Sequence, residues 1–208
     1  MAADLLALAK KVREVLAAKQ GTADIKSLVS AASYVVLNPR ERNEIIRKET
    51  LAGMMRDIEK SGYFKPEKLS HMEKIIPKVG GYNNDPFSYN DCLSDEEKQA
   101  LSFPLEYRVS REMVECMTEK GLSEEQPNQI IPIIYYMNYF AVSRKYKLIE
   151  LRARGVTKVK IDNMGGDLDC QVVQTHQRVF PINEAPVLPL PGCTAIYCRC
   201  DFSACEEE

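Results

Sequence analysis

The chain has 208 residues, 45% of them hydrophobic and 28% charged, which is enough to bury a core without disulfide staples. Its formal net charge of −2 argues against a bulk nucleic-acid binder, since phosphate neutralisation favours a clear basic excess. Lysines and an arginine interrupt the apolar pattern of the first twenty residues, which reads as a helix rather than a secretory signal, and a cytoplasmic protein is expected.

Leu5, Leu8, Val12, Val15 and Leu16 recur at three- and four-residue steps and predict a first helix, ending at Gly21. Asp24 is the expected N-cap of a second, carried by Ile25, Leu28, Val29, Ala32, Val35 and Val36 until Asn38-Pro39 interrupts it. Pro39 opens a third, with Ile45, Ile46, Met54, Met55 and Ile58 on one stripe, that stops near Ser61-Gly62. Leu69, Met72, Ile75 and Ile76 make a short fourth helix closed by Pro77. The stretch from Gly80 to Asp91 reads as a loop.

Ser94 with Glu97 matches a capping box, and another start is expected at Ser110 ahead of Met113, Val114 and Met117, with Gly121 as the stop. Ser123 with Gln126 offers a further capping box for a long helix through Tyr135, Tyr139, Phe140, Leu148 and Leu151 to Gly155, which Pro132 bends or begins. Its apolar stretch, Ile130 to Val142, is thirteen residues long, short of the ~20 that span a bilayer. The basic run from Arg144 to Lys160 reads as a solvated face rather than a nucleic-acid surface.

After Gly155 the texture changes. Val156, Val159 and Ile161 alternate with polar residues as in a strand, Asn163 to Asp169 reads as a turn, Cys170 to His176 as one or two helical turns, and Pro181, Pro186, Pro189 and Pro191 force an extended path.

Five of the seven cysteines lie in the last 39 residues, four of them within CTAIYCRCDFSAC. A tetrahedral zinc site needs four soft or borderline ligands and would stabilise so short a module. Cys170, Cys193, Cys198 and Cys200 are the candidate ligands, with His176 or Cys205 as substitutes. Two other uses of the same thiols stand beside this one. They can pack as small buried hydrophobes, or carry disulfide or redox chemistry, with Arg199 favouring a thiolate. Cys92 and Cys116 read as structural. His71 falls on a helix face at the surface. His176 with a tail cysteine, oriented by Asp167 or Asp169, is the only pattern for nucleophilic catalysis. No Gly-rich phosphate loop, Gly-x-Ser-x-Gly or His-Glu-x-x-His occurs.

The strand from Val156 to Ile161, Cys170 and the run RVFPINEAPVLPLPGCTAIYCRCDF together resemble a C-terminal module of uncharacterised bacterial proteins, with its Ala-Pro-x-Leu-Pro stretch, Cys-Thr and final Cys-x-Cys. More distantly, the same order is similar to the end of phage head-morphogenesis (minor capsid) proteins. There a paired first cysteine stands where this chain has Val173, and a His-Pro precedes the final pair that this chain lacks. The resemblance covers about 50 residues and implies a bacterial or prophage origin and a metal-binding tail.

The sequence thus predicts an α+β protein with a mainly helical body over 1–154 and a small cysteine- and proline-rich β-and-loop module over 155–208. The expected role is non-enzymatic: a zinc-stabilised module serving structure or protein interaction, with a protein partner or self-association and neither membrane nor nucleic acid. The alternatives are a thiol-redox or cysteine-nucleophile protein using Cys198 or Cys200, and a phage-derived head-assembly component.

Overall fold

The computed structural model describes residues 7, 11, 34–76, 91–162, 172–173 and 179–205. Of the first two predicted helices only Ala7, Lys11 and residues 34–37 are among them: Ala7, Lys11, Tyr34 and Val35 are helical, and Val36 and Leu37 lie in a turn. The 80–91 loop apart from Asp91, the 163–169 turn, Cys170 and His176 fall outside the described residues.

The fold is α+β. Six helices are described: α1 (Pro39–Ser61), α2 (Leu69–Ile75), α3 (Asp95–Ala100), α4 (Arg111–Cys116), α5 (Glu119–Leu122) and α6 (Ile130–Ala153). Three short strands follow: β1 (Lys158–Asp162), β2 (Val179–Pro181) and β3 (Asp201–Ala204). The contacts divide the chain into two compact units, one of residues 1–19 and 54–134, the other of residues 20–53 and 135–208. Residues from 155 onward therefore share a unit with the first half of α1 and most of α6.

In the first unit, local chemistry sets the helix ends. Ser94 and Glu97 form the expected capping box, each side chain bonding the other's backbone N–H. Glu97 also grips Arg111 at the start of α4, with Nη1–Oε1 at 2.7 Å and Nη2–Oε2 at 3.0 Å. Gly121 does not end the helix that begins after Ser110. That helix stops at Cys116, and Thr118, whose Oγ1 accepts from the Gly121 N–H at 3.2 Å, starts α5 instead. Gly121 is required for another reason: a Cβ there would sit 2.4 Å from the Tyr63 carbonyl oxygen. The capping box expected from Ser123 and Gln126 does not form. Ser123 closes α5, its hydroxyl donating to Lys120 O, and a 3-10 turn at Pro127–Gln129 leads into α6. Pro132 then occupies the first turn of α6, where its missing N–H costs nothing. Met54, Ile58, Met72, Ile76, Met113 and Met117 are all but fully buried, as their stripes predict.

In the second unit, α1 begins with a reciprocal cap that the sequence reading passed over. The Glu41 N–H donates to Asn38 Oδ1 and the Asn38 N–H to Glu41 Oε2, both at 3.0 Å, with Pro39 at the first helical position. The sheet has order β2-β1-β3 and is antiparallel throughout, Val159 facing Phe180 on one side and Ala204 on the other. Alternation in β1 turns Val159 and Ile161 inward. They join Leu151, Ile182, Leu188, Leu190, Cys198, Cys200 and Phe202 in one buried cluster, against which Val156 and Cys193 pack. Burying each large aliphatic or aromatic side chain contributes about 1.5–3 kcal/mol, so this cluster holds the short strands that could not persist alone. Among the described residues no helix is long and apolar enough to cross a membrane.

Candidate functional site

The cysteine-rich tail owes its geometry to extended backbone. Successive side chains of an extended chain point to opposite faces, so Cys198, Cys200 and Phe202 are buried while Arg199 is exposed. The Cys-x-Cys spacing thus delivers two thiols to one face of the tail, side by side in the apolar cluster. Cys193 arrives from a separate turn: its N–H donates to Leu190 O at 3.0 Å, and Gly192 before it takes φ +82°, a conformation that suits glycine.

Cys193 packs against the apolar cluster that holds Cys198 and Cys200. The Cys198 thiol is held above the ordinary cysteine value: Cys193 pulls it down, while Cys200 and burial outweigh that and push it up, and Arg144 works in the lowering direction. None of the described cysteines is in a disulfide.

The residue that organises the site is one the sequence reading assigned to solvent. Arg144 lies in α6 and is 5% exposed. Its guanidinium donates to the backbone carbonyls of the tail: Nε to Cys200 O at 2.7 Å, Nη2 to Cys198 O, and Nη1 to Leu188 O at 3.3 Å. It also rests 5.7 Å from the centre of the Phe140 ring. Among the described residues no carboxylate pairs with it. A second set of contacts fastens the same loop, Tyr197 stacking on Tyr136 with ring centres 4.7 Å apart and Arg199 lying 5.4 Å over the outer ring. The aromatic face of Tyr135, Tyr136 and Tyr139 is thereby largely engaged in ring contacts.

The other predicted residues sort as follows. Among the described residues no group of three His, Cys, Asp or Glu side chains is arranged to hold a metal ion as it stands. Cys170 and His176, which would complete the set or replace a member, lie outside the described residues, as does any pairing of His176 with a tail cysteine. Cys205 follows β3, its N–H donating to Lys158 O. His71 is part-exposed and 2.8 Å from Glu112. Cys116 is buried on α4, and burial pushes its thiol up.

A shallow cleft of about 300 Å³ lies in the same unit, beside Tyr34, Arg42, Ser143, Tyr146 and Glu150. Part of its polar lining is paired, while Arg42 Nε and Ser143 Oγ are buried with no hydrogen-bond partner among the described residues. Arg42 Nη1 bonds Glu150 at 2.6 Å, and the Tyr34 and Tyr146 rings lie 4.1 Å apart. Beneath Tyr146, Glu49 is 6% exposed and accepts from the tyrosine hydroxyl at 2.5 Å and from Lys145 at 2.7 Å.

Comparison with family models, curated proteins and solved structures finds no match.

Proposed function

We propose that the C-terminal segment is a thiolate module that binds one soft or borderline divalent metal ion, zinc by its chemistry, and that the protein is a non-enzymatic structural or protein-binding component. One observation carries this reading. Arg144 buries a permanent positive charge against the cysteine-containing tail and donates to the backbone carbonyls of Cys198 and Cys200. A buried cation is costly without negative charge nearby, and thiols supply that charge only as thiolates, the form in which they bind metal.

Cys193, Cys198 and Cys200 would hold the ion, with Cys170 or His176 as the fourth ligand. Among the described residues the three thiols do not form a group that could hold an ion as it stands, and the ligand geometry would be drawn in by the ion. When bound, the ion would cross-link the Leu188–Cys200 loop within itself, just ahead of β3, and to whatever carries the fourth ligand. Arg144 and Tyr136 would hold that loop on α6. The tail's resemblance to the bacterial and phage-type modules supports a cytoplasmic bacterial or prophage setting and a role in protein assembly, including self-association.

Elemental mass spectrometry on protein purified without chelator tests the reading, paired with a thiol count before and after chelation. The expected result is about one zinc per chain with three or four thiols unmasked by chelation. Absence of bound metal, with the tail thiols reacting at once, would overturn it in favour of packing or redox use.

A further inference from the structure

We propose that the cleft beside Tyr34 and Tyr146 binds a small zwitterion of the amino-acid class, one with an apolar or aromatic side chain. Every residue that lines it belongs to the second unit: Tyr34, residues of α1 and α6, and Asp201 at the start of β3. Pro39, Arg42 and Ile46 come from one face of α1, and Ser143, Lys147 and Glu150 from one face of α6, each set by steps of three and four residues. A volume of about 300 Å³ is at the low end for small-molecule sites and suits a ligand of this size.

Two of the lining residues hold a buried polar atom with no hydrogen-bond partner among the described residues, Arg42 Nε and Ser143 Oγ. Buried polar groups are nearly always paired, so such orphans point to a partner from outside the chain. Arg42 is held in place by its other nitrogens. Nη1 donates to Glu150 at 2.6 Å and Nη2 to the Val35 carbonyl, and the guanidinium lies 5.5 Å over the Tyr34 ring. What it lacks is an acceptor at Nε, and the Ser143 hydroxyl can donate to an anionic oxygen likewise.

Charge narrows the ligand further. Arg42 and Glu150 cancel in their ion pair. Lys147 is exposed and forms no ion pair among the described residues, and Asp201 spends Oδ1 on the Phe202 N–H at 2.8 Å, which leaves Oδ2. Among the described residues the cleft therefore offers one unpaired cation and one unpaired anion. A ligand carrying both charges complements them, whereas the two negative charges of a phosphate would go unbalanced. The carboxylate goes to Lys147, Ser143 and Arg42 Nε, and the ammonium to Asp201. Pro39, Ile46 and the two tyrosines supply apolar contact for the side chain. No step of this depends on the metal module.

Isothermal titration calorimetry on the full-length chain tests it, with chelator present because metal would itself bind amino acids. The probes are L-phenylalanine and L-leucine, with 3-phenylpropanoate, 2-phenylethylamine and inorganic phosphate as comparisons. The expected result is saturable binding of an amino acid, weakened roughly tenfold or more when either charged group is deleted from the ligand, since each deletion forfeits a charge-assisted bond. Lys147→Met and Ser143→Ala should weaken the amino acid. Asp201→Asn should weaken it too, yet leave 3-phenylpropanoate unaffected. Arg154→Met, an exposed change on the turn after α6, should alter nothing. The ligand series requires no variant, so it decides the matter even where a substitution unfolds the chain. No saturation by either amino acid up to about 10 mM, phosphate or 3-phenylpropanoate binding as tightly as phenylalanine, or affinity untouched by Lys147→Met and Asp201→Asn overturns the proposal.

Discussion

Arg144→Met separates the guanidinium's bonds from its bulk, because methionine retains the unbranched stem that packs along α6 while removing every donor. Three acceptors then lose their partner: the carbonyls of Cys198, Cys200 and Leu188, the last through the longest bond at 3.3 Å. A hydrogen bond from a charged group contributes about 1.5–3 kcal/mol. The two shorter bonds together give roughly 3–6 kcal/mol, and relief from burying the cation returns part of it. We expect a net loss of about 3 kcal/mol, a fall of roughly 6–12 °C in Tm for a chain of this length. Urea and thermal unfolding followed by circular dichroism measure it, on chelated protein so that metal affinity does not enter. Arg144→Lys, with the charge but no fork, should fall between. A loss below about 1 kcal/mol for Arg144→Met would refute the argument that this side chain anchors the tail.

Gly121→Ala would drive a methyl to 2.4 Å from the Tyr63 carbonyl, and the backbone shift it forces should cost about 1–3 kcal/mol in urea unfolding. An undisturbed stability would mean that α5 can move freely away from Tyr63. Glu97 is held at about 2, down from 4.5, by its bonds to Arg111 and then to the Ser94 backbone. Its folded value lies below the unfolded one, so its contribution is present above about 4.5 and is lost as pH falls from there through 2. A carbon-detected NMR titration should find the depressed value, and Arg111→Gln should return it toward the ordinary carboxylate range; a value unchanged by that substitution would contradict the assignment.

Apolar spacing bounded by proline and glycine signals located α1, α2 and α6, and the Ser94 box is legible because both of its partners are encoded three residues apart. Asn38 and Glu41 have the same spacing, and Pro39 opens the helix as the sequence predicts, but Asn38 reads there only as the end of the preceding helix and not as the cap of this one. Gly121 was read as a stop because a glycine's tertiary use, close approach to Tyr63 O, leaves no local trace. Arg144 is the most instructive case. It falls in a basic run that reads as a solvated face, but it sits four residues after Phe140 and four before Leu148, in line with two apolar residues of the predicted helix. An arginine on an apolar stripe signals a buried hydrogen-bonding task. Its acceptors, carbonyls more than forty residues away, are supplied only by the folded tail. The inward pair at Cys198 and Cys200 follows from alternation, while the arrival of Cys193 beside them depends on the turn at Gly192.

X-ray absorption at the metal edge of protein as purified probes the thiolate module most directly, because it counts the donor atoms around the ion without relying on thiol chemistry. The account predicts a zinc edge with at least three sulfur neighbours at about 2.3 Å and at most one lighter neighbour at about 2.0–2.1 Å. An all-nitrogen-or-oxygen shell, or a chain that retains no metal, would contradict it.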